Sequence, residues 1–159
     1  AGFPGVPLKI AFPHLEACLL DSLKKRVNFL EETFDLLKLE DITAIHGRAE
    51  EFAKNKSYRE QYDLCVSRAV SNLATLSEYC LPYVKVGGNF ISYKSGTVQE
   101  ELQQAEKAVK ILGGKIQDVV YFNLPDSEIQ RSLVVIEKMK PTPGRYPRKA
   151  GTPLKEPLS

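Results

Sequence analysis

The sequence lacks any apolar run of the roughly eighteen residues that a membrane-spanning helix requires. Its N-terminus also lacks the charged stretch and apolar core of a secretory signal peptide. We therefore expect a cytoplasmic protein that has no membrane partner. The chain has 159 residues, of which 43% are hydrophobic, and this is enough for one domain with its own core but too little for two.

Cysteine is scarce. Cys18, Cys65 and Cys80 are an odd number of thiols, none stands at metal-ligand spacing, and each lies in an apolar stretch. We expect three reduced and mostly buried thiols, with neither a disulfide nor a metal site.

An initiator methionine is absent as well. The chain opens with turn residues, Ala1 to Gly5, before any strand pattern. We expect it to begin inside a loop, as a fragment whose leading strand is missing.

Positive charge is concentrated at the C-terminal end. The formal net charge is +2, but residues 140–159 hold five cations against one anion, which leaves the rest of the chain net negative. This end is rich in proline and glycine, which disfavour helix and central strand. Residues 141–159 are thus predicted to form a basic tail that lies extended over the surface. Charge alone leaves two interpretations open, a solvated terminus and a contact with nucleic acid.

Short apolar runs alternate with helical patterns in the preceding residues, as in βαβ units. An apolar stripe from Leu23 to Leu37 predicts one helix, and two more are predicted over Asn72–Val84 and Val98–Leu112, the last ended by Gly113-Gly114. Four buried strands are predicted at Ala17–Leu20, Ile42–Ile45, Tyr62–Val66 and Asn89–Tyr93.

The end of the sheet has a different pattern. Lys115–Leu124 and Arg131–Lys138 follow one another with no helix between them, so they are predicted to pair as an antiparallel hairpin. The fold class predicted for residues 1–140 is α/β and Rossmann-like, with a mainly parallel sheet that ends in this hairpin. By analogy at the level of fold, this order is typical of class I S-adenosylmethionine-dependent methyltransferases.

In such sheets, ligands bind beyond the carboxyl ends of the strands. Gly2 and Gly5 precede a predicted helix near Val6, where backbone amides can approach a polar ligand closely, although a plain turn explains them equally well. Asp21 ends the first strand, where an acidic side chain can accept hydrogen bonds from a ribose diol. Asp21 or Ser22 can instead cap the following helix.

Cations surround these positions. Lys24, Lys25 and Arg26 oppose the dipole of the helix that they begin, which an anionic partner such as a phosphate would offset; a solvated charge run is the commoner explanation. Arg68 and Lys94 each follow a predicted strand, and each is individually unremarkable.

The order of these motifs resembles the bacterial small-subunit (16S) ribosomal RNA guanine-N7 methyltransferase family, also called glucose-inhibited division protein B. The resemblance spans essentially the whole chain. It is carried by Gly2-Phe3-Pro4-Gly5, Leu20-Asp21-Ser22 with Lys25-Arg26, Arg48-Ala49-Glu50, Ser67-Arg68-Ala69 and the tail Tyr146-Pro147-Arg148-Lys149-Ala150-Gly151-Thr152-Pro153.

The resemblance implies S-adenosylmethionine as cofactor. Phe3 then resembles the family's residue in the cofactor loop, Ala49 and Glu50 the pair on the adenosine side, Asp21 the acidic residue at the second strand, and Arg68 the arginine of the cofactor site. The family's loop starts with an Asp-x-Gly-x-Gly segment upstream of Ala1, preceded by a helical region, and neither is part of this sequence.

The reaction implied is methylation of guanine N7, which needs no general base because N7 carries a lone pair and no proton. The sequence accordingly shows neither an Asn-Pro-Pro-Tyr loop nor a Pro-Cys pair. The partner implied is 16S ribosomal RNA within the small subunit or its precursor, bound by a monomer. A methyltransferase with another substrate and a non-catalytic RNA-binding module are the alternatives. The predicted RNA contacts are Lys24, Lys25, Arg26, Lys94, Arg145, Arg148 and Lys149.

Overall fold

Strands and α-helices alternate along the residues that the computed structural model describes, 1–68 and 71–159. The helices are α1 Gly5–Ala11, α2 Lys24–Leu37, α3 Ala49–Phe52, α4 Leu73–Cys80, α5 Gln99–Ile111 and α6 Thr152–Lys155. The strands are β1 Ala17–Asp21, β2 Ile42–His46, β3 Tyr62–Ser67, β4 Val84–Ser95, β5 Gly114–Asn123 and β6 Gln130–Lys138.

The strands form two sheets. β1 and β2 pair in parallel, with Ala17 opposite Ile42 and Asp21 opposite His46. The second sheet has the order β3-β4-β6-β5. In it β3 and β4 are parallel, whereas β6 is antiparallel to both of its neighbours, β4 and β5. The predicted α/β class, with parallel strands followed by an antiparallel hairpin, is confirmed.

The main core lies between the four-stranded sheet and helices α4 and α5. Phe90, Val134 and Ile136 of the sheet pack against Leu73 of α4 and Val109 of α5. A smaller cluster of Val6, Leu30 and Phe34 joins α1 to α2 beside the two-stranded sheet. The apolar stripe predicted for α2 is therefore buried through its middle, at Val27, Leu30 and Phe34, as a surface helix packed on a sheet requires.

The start of α2 corrects one prediction. Its N-cap position is Leu23, without a side-chain cap, so neither Asp21 nor Ser22 caps the helix. Asp21 Oδ1 accepts a hydrogen bond from Leu23 N at 2.9 Å, which makes a side-chain turn just before the helix. The carboxylate consequently stays at the carboxyl end of β1.

The middle of the chain corrects two boundaries. The helix predicted to run to Val84 ends as an α-helix at Cys80 and continues as a 3-10 turn over Leu81–Tyr83, which contains Pro82. Strand β4 then begins at Val84, before the predicted Asn89, because a register shift lets Val84 pair with Tyr62. The stop after α5 is as predicted, with Gly113 at φ 88°.

The C-terminal segment, residues 141–159, differs most from the prediction. It contains a short helix, α6, in which Pro153 occupies the first turn, the one place where a helix tolerates proline. Thr142, Tyr146 and Pro153 are buried, and Tyr146 belongs to the main core. The segment is thus packed onto the domain instead of lying as a solvated tail.

The thiols also depart from the prediction in part. Cys80 is buried, while Cys18 and Cys65 are only half-buried, and all three are free. A hydrogen bond to Cys65, together with burial, raises the pKa of the Cys80 thiol well above its ordinary value.

Candidate functional site

Phe3 and Arg68 come together at one edge of the fold. The guanidinium of Arg68, just after β3, lies 5.4 Å from the centre of the Phe3 ring, within the range of a cation–π contact. Phe3 precedes α1, whose first residue, Gly5, packs against Leu19 near the carboxyl end of β1. The carboxyl ends of β1 and β3 therefore face the same region. Ala69 of the predicted Ser67-Arg68-Ala69 motif lies outside the described residues.

Asp21 stands at this edge as well. Its side chain is 19% exposed, with Oδ1 fixed by Leu23 N at 2.9 Å and Oδ2 3.5 Å from Arg26. The next strand ends beside it, since Gly47 N donates to Asp21 O at 3.0 Å. A carboxylate held in this way presents acceptor oxygens at a strand end, which suits a ligand with paired hydroxyls.

Ala49 and Glu50 form the start of α3, at the carboxyl end of β2. The Ala49 carbonyl oxygen accepts a hydrogen bond from the Tyr83 hydroxyl at 2.7 Å. Glu50 is only 6% exposed, and its Oε1 accepts from Gly151 N at 2.8 Å. One carboxylate oxygen of Glu50 thus already holds the C-terminal segment.

The two glycines of the opening turn are explained by contacts within the chain. Gly2 has φ 80°, and a Cβ there would lie 2.9 Å from Leu30. A Cβ on Gly5 would meet Leu19 at 3.0 Å. The positive φ at Gly2 and the close Leu19 side chain at Gly5 favour glycine at these positions whether or not a ligand binds.

Lys94 does not have the free side chain that an RNA contact needs. It is 10% exposed, and its Nζ lies 2.6 Å from Glu101 Oε1 and donates to Ser71 O at 2.8 Å. Glu101 also accepts from Leu73 N at 2.6 Å. Lys94 thus fixes the start of α4 to α5, and the geometry does not favour the predicted phosphate contact.

Arg148 is likewise committed inside the chain. Its Nε and Nη2 donate to the two carboxylate oxygens of Glu78 at 2.7–3.1 Å, and its backbone N–H donates to Oε1 at 2.8 Å. The Glu78 side chain is fully buried and that of Arg148 is 25% exposed. Hydrogen bonding to Glu78 raises the pKa of Arg148. This fork-like pair anchors the C-terminal segment on α4, so an RNA contact is again not favoured.

The remaining predicted RNA contacts are exposed. They are Lys24, Lys25, Arg26, Arg145 and Lys149. The Arg26 guanidinium lies 3.5 Å from Asp21 Oδ2, and the guanidinium of Arg145 lies 5.0 Å from the centre of the Tyr146 ring.

Several residues that hold the C-terminal segment in place were not predicted. Arg59 donates to the carbonyl oxygens of Thr142 and Tyr146 at 2.7 and 2.9 Å. Lys138 is fully buried, 3.1 Å from Glu60 Oε1, and burial lowers its pKa although Glu60 opposes the shift. These pairs join residues more than 70 positions apart, so no local pattern reveals them.

Other candidate sites are weaker. A surface concavity of about 390 Å³ is lined by residues such as Lys9, Leu37 and Asp41, and it holds none of the predicted site residues. Over residues 1–68 and 71–159, no three metal-ligating side chains come together. No helix in these ranges is long and apolar enough to cross a membrane.

Comparison with known proteins identifies the family. The model of the family described as GidB, rRNA small subunit methyltransferase G, matches residues 1–134. The chain belongs to this family. Relatives named ribosomal RNA small subunit methyltransferase G include those of Lachnoclostridium phytofermentans, 57% identical over 158 residues, and Acetivibrio thermocellus, 55% identical over 159 residues. The alignments cover 99% and 100% of the chain, which spans 65% of the length of each relative.

Solved structures share the fold of this GidB family chain. The AdoMet complex of TYW2 from M. jannaschii matches with a TM-score of 0.62 and 12% identity, over 85% of this chain and 64% of that one. The S-adenosylmethionine-dependent methyltransferase SibL, in its apo form, matches with 0.62 and 15%, over 87% and 48%. The predicted class I methyltransferase fold is therefore confirmed.

Proposed function

We propose that the chain forms most of an enzyme that transfers a methyl group from S-adenosylmethionine to N7 of a guanine in 16S ribosomal RNA. The observation that carries the proposal is the family match over residues 1–134, supported by relatives that are 54–57% identical and named for this RNA. The substrate then places the enzyme in the cytoplasm, acting on the small subunit or its precursor. We further propose that it acts as a monomer and uses no metal.

The residues near the carboxyl ends of β1, β2 and β3 suit the proposed cofactor. Asp21 offers a partly exposed carboxylate for the ribose hydroxyls. Phe3 offers a ring that is 63% exposed, held beside the cation of Arg68. Gly2, Gly5 and Ala49 contribute backbone at the same edge. Glu50 is the least accessible member, because one of its oxygens already binds Gly151 N.

The chemistry asks little of these residues beyond positioning. When bound, the cofactor supplies an electrophilic methyl group on a positively charged sulfur. Guanine N7 attacks with its lone pair and loses no proton, so no side chain needs to act as a base. The work of Arg68 and Phe3 is to hold the reacting groups in line and to keep water out, which can contribute several orders of magnitude in rate.

RNA binding is assigned to the exposed cations Lys24, Lys25, Arg26, Arg145 and Lys149. Phosphate contacts of this kind attract RNA without regard to sequence, while the choice of nucleotide comes from RNA shape and from bases that are splayed out. Binding should therefore weaken steeply as salt is raised. Lys94 and Arg148 are left out because their charges are used inside the fold.

The test is transfer of labelled methyl from S-adenosylmethionine by the full-length gene product. The substrates are small ribosomal subunits that lack N7-methylguanine, naked small-subunit RNA and transfer RNA. We expect label as N7-methylguanine in small-subunit RNA alone. Label in transfer RNA or at another atom would overturn the proposed substrate.

Two variants distinguish a specific role of Arg68 in methyl transfer from the general effect of removing an exposed cation. Arg68→Ala should reduce transfer strongly, while Lys107→Gln, an exposed cation on α5, should leave it unchanged. Transfer that survives Arg68→Ala would remove the positioning role of Arg68. If calorimetry detects no S-adenosylmethionine binding by the full-length protein, the non-catalytic RNA-binding module becomes the better account.

A further inference from the structure

We propose that five exposed cations form one RNA-binding surface, called the basic band. It runs beside the edge of the fold that carries Phe3, Asp21 and Arg68. Its members are Arg48, Lys54, Lys56, Arg145 and Lys149. Arg48, Lys54 and Lys56 join the exposed cations named above because of their place in the fold. The inference rests on the proposed function, because it takes RNA as the substrate.

Hydrogen bonds hold the segment that carries Lys54 and Lys56 beside the C-terminal segment that carries Arg145 and Lys149. Arg59, which follows Lys54 and Lys56 in sequence, donates to Thr142 O at 2.7 Å and to Tyr146 O at 2.9 Å. The Glu60 carboxylate accepts from Thr142 N at 2.7 Å. Thr142 and Tyr146, which lie on either side of Arg145 in the chain, are thereby fixed against the segment that carries the two lysines.

A second set of contacts holds the part of the C-terminal segment that carries Lys149 near the loop that carries Arg48. Glu50 Oε1 accepts from Gly151 N at 2.8 Å, which places Lys149 near the loop that carries Arg48. Arg148 is locked to Glu78, so its neighbour Lys149 projects from an anchored backbone. The backbone that carries Lys149 is therefore fixed relative to the start of α3, which follows Arg48.

Three carboxylates near the band, those of Glu50, Glu60 and Glu78, are engaged within the chain; Glu51 and Glu156 are exposed. Glu50 and Glu78 are buried, and Glu60 is used by Lys138 and by the Thr142 amide. In the part of the chain that the structure describes, no member of the basic band takes part in an ion pair within 4.0 Å.

One side chain of the band is already ordered. The Arg145 guanidinium lies 5.0 Å from the centre of the Tyr146 ring, and that ring is buried in the main core. A cation held in this way loses less conformational entropy when it meets a phosphate. This contact preorganises Arg145, whereas Lys54, Lys56 and Lys149 are exposed lysines.

The ligand that this arrangement fits is a polyanion with regularly repeated charges. A single phosphate would engage one or two of the cations and leave the others mutually repulsive. Because Arg48 directly precedes Ala49 and Glu50, the band reaches the edge where Asp21 and Arg68 are assembled. An RNA strand lying along the band would thus lead to the site of transfer.

The test measures RNA affinity as a function of salt. The variant is Lys54→Gln with Lys56→Gln in the full-length protein, and the probe is naked small-subunit RNA. The loss of two phosphate contacts should reduce the slope of log affinity against log salt by about 1.4. Between about 50 and 200 mM salt, the wild type should consequently lose about sevenfold more affinity than the variant.

The matched control is Lys107→Gln with Lys110→Gln, two exposed lysines of α5, which should keep the wild-type slope. Affinity for S-adenosylmethionine and the unfolding midpoint should be unchanged in both variants. Equal slopes for the two variants, with wild-type transfer intact, would overturn the basic band but not the proposed function. Weaker binding to whole subunits with unchanged binding to naked RNA would assign the surface to a ribosomal protein instead. A wild-type protein that binds neither naked small-subunit RNA nor the small subunit would refute both.

Discussion

Replacing Arg148 with alanine should leave the Glu78 carboxylate buried without its cation. The substitution removes three N–H···O contacts of 2.7–3.1 Å. It also removes the bond from Nη2 to Glu156 O at 2.7 Å. The Glu78 side chain is fully buried, so water cannot readily replace the guanidinium. The C-terminal segment would lose its main anchor on α4.

Breaking a buried ion pair by deleting one partner costs roughly 3–5 kcal/mol. The expected cost here is at the lower end, about 3 kcal/mol, for two reasons. The Arg148 side chain is 25% exposed, and its backbone N–H still donates to Glu78 at 2.8 Å after the substitution. In a domain of this size such a loss lowers the midpoint of thermal unfolding by about 6–12 °C.

Urea and thermal unfolding of the wild type, Arg148→Ala and Arg145→Ala measure this directly. Arg145 is the matched control, since its exposed cation–π contact is worth only about 0.5–1 kcal/mol. Adding Glu78→Gln to Arg148→Ala should recover part of the loss, because the unpaired charge is then gone. A loss below about 1 kcal/mol for Arg148→Ala, or equal losses for the two arginines, would refute the reasoning.

Two further predictions concern stability. Gly113→Ala should cost at least about 2 kcal/mol, because Gly113 has φ 88° and an added Cβ would collide with a backbone carbonyl; Gly144→Ala, in open space, is the control in thermal unfolding. Stability should also fall as pH rises above about 10. Burial raises the pKa of Tyr83 and Tyr62 above their ordinary 10.0. Above that pH the unfolded chain therefore releases protons that the native state retains. The lowered pKa of Lys138 has the opposite effect on stability as pH rises, but it is a single group against two tyrosines. Urea unfolding at several alkaline pH values should show a shallower decline for Tyr83→Phe, and an unchanged decline would contradict this.

The parts of the fold that local patterns encode were predictable. The spacing of Val27, Leu30 and Phe34 gives α2 one buried face, and two apolar runs without a helix between them gave the β5–β6 hairpin. The boundary of α4 was not predictable from periodicity, because its pattern continues through a 3-10 turn. The bounds of β4 depended on a register shift against β3, which only tertiary pairing decides.

The candidate site residues also divide into those that local patterns indicate and those that depend on distant contacts. Asp21 and Arg68 were singled out because each follows a predicted strand, and ligands bind beyond the carboxyl ends of parallel strands. Phe3 was singled out by the family resemblance alone. Arg148 and Lys94 were assigned to RNA because a sequence displays charge without its partner. Glu78 lies 70 positions from Arg148, and Glu50 lies 101 positions from Gly151. Pairings at this separation follow from packing and not from local spacing.

The most direct test of the central claim is nucleoside analysis of small-subunit RNA from cells that lack the gene. Mass spectrometry should show that an N7-methylguanine is lost on deletion and returns with the full-length wild type and with Lys107→Gln, but not with Arg68→Ala. The same amount of N7-methylguanine in small-subunit RNA with and without the gene would contradict the account.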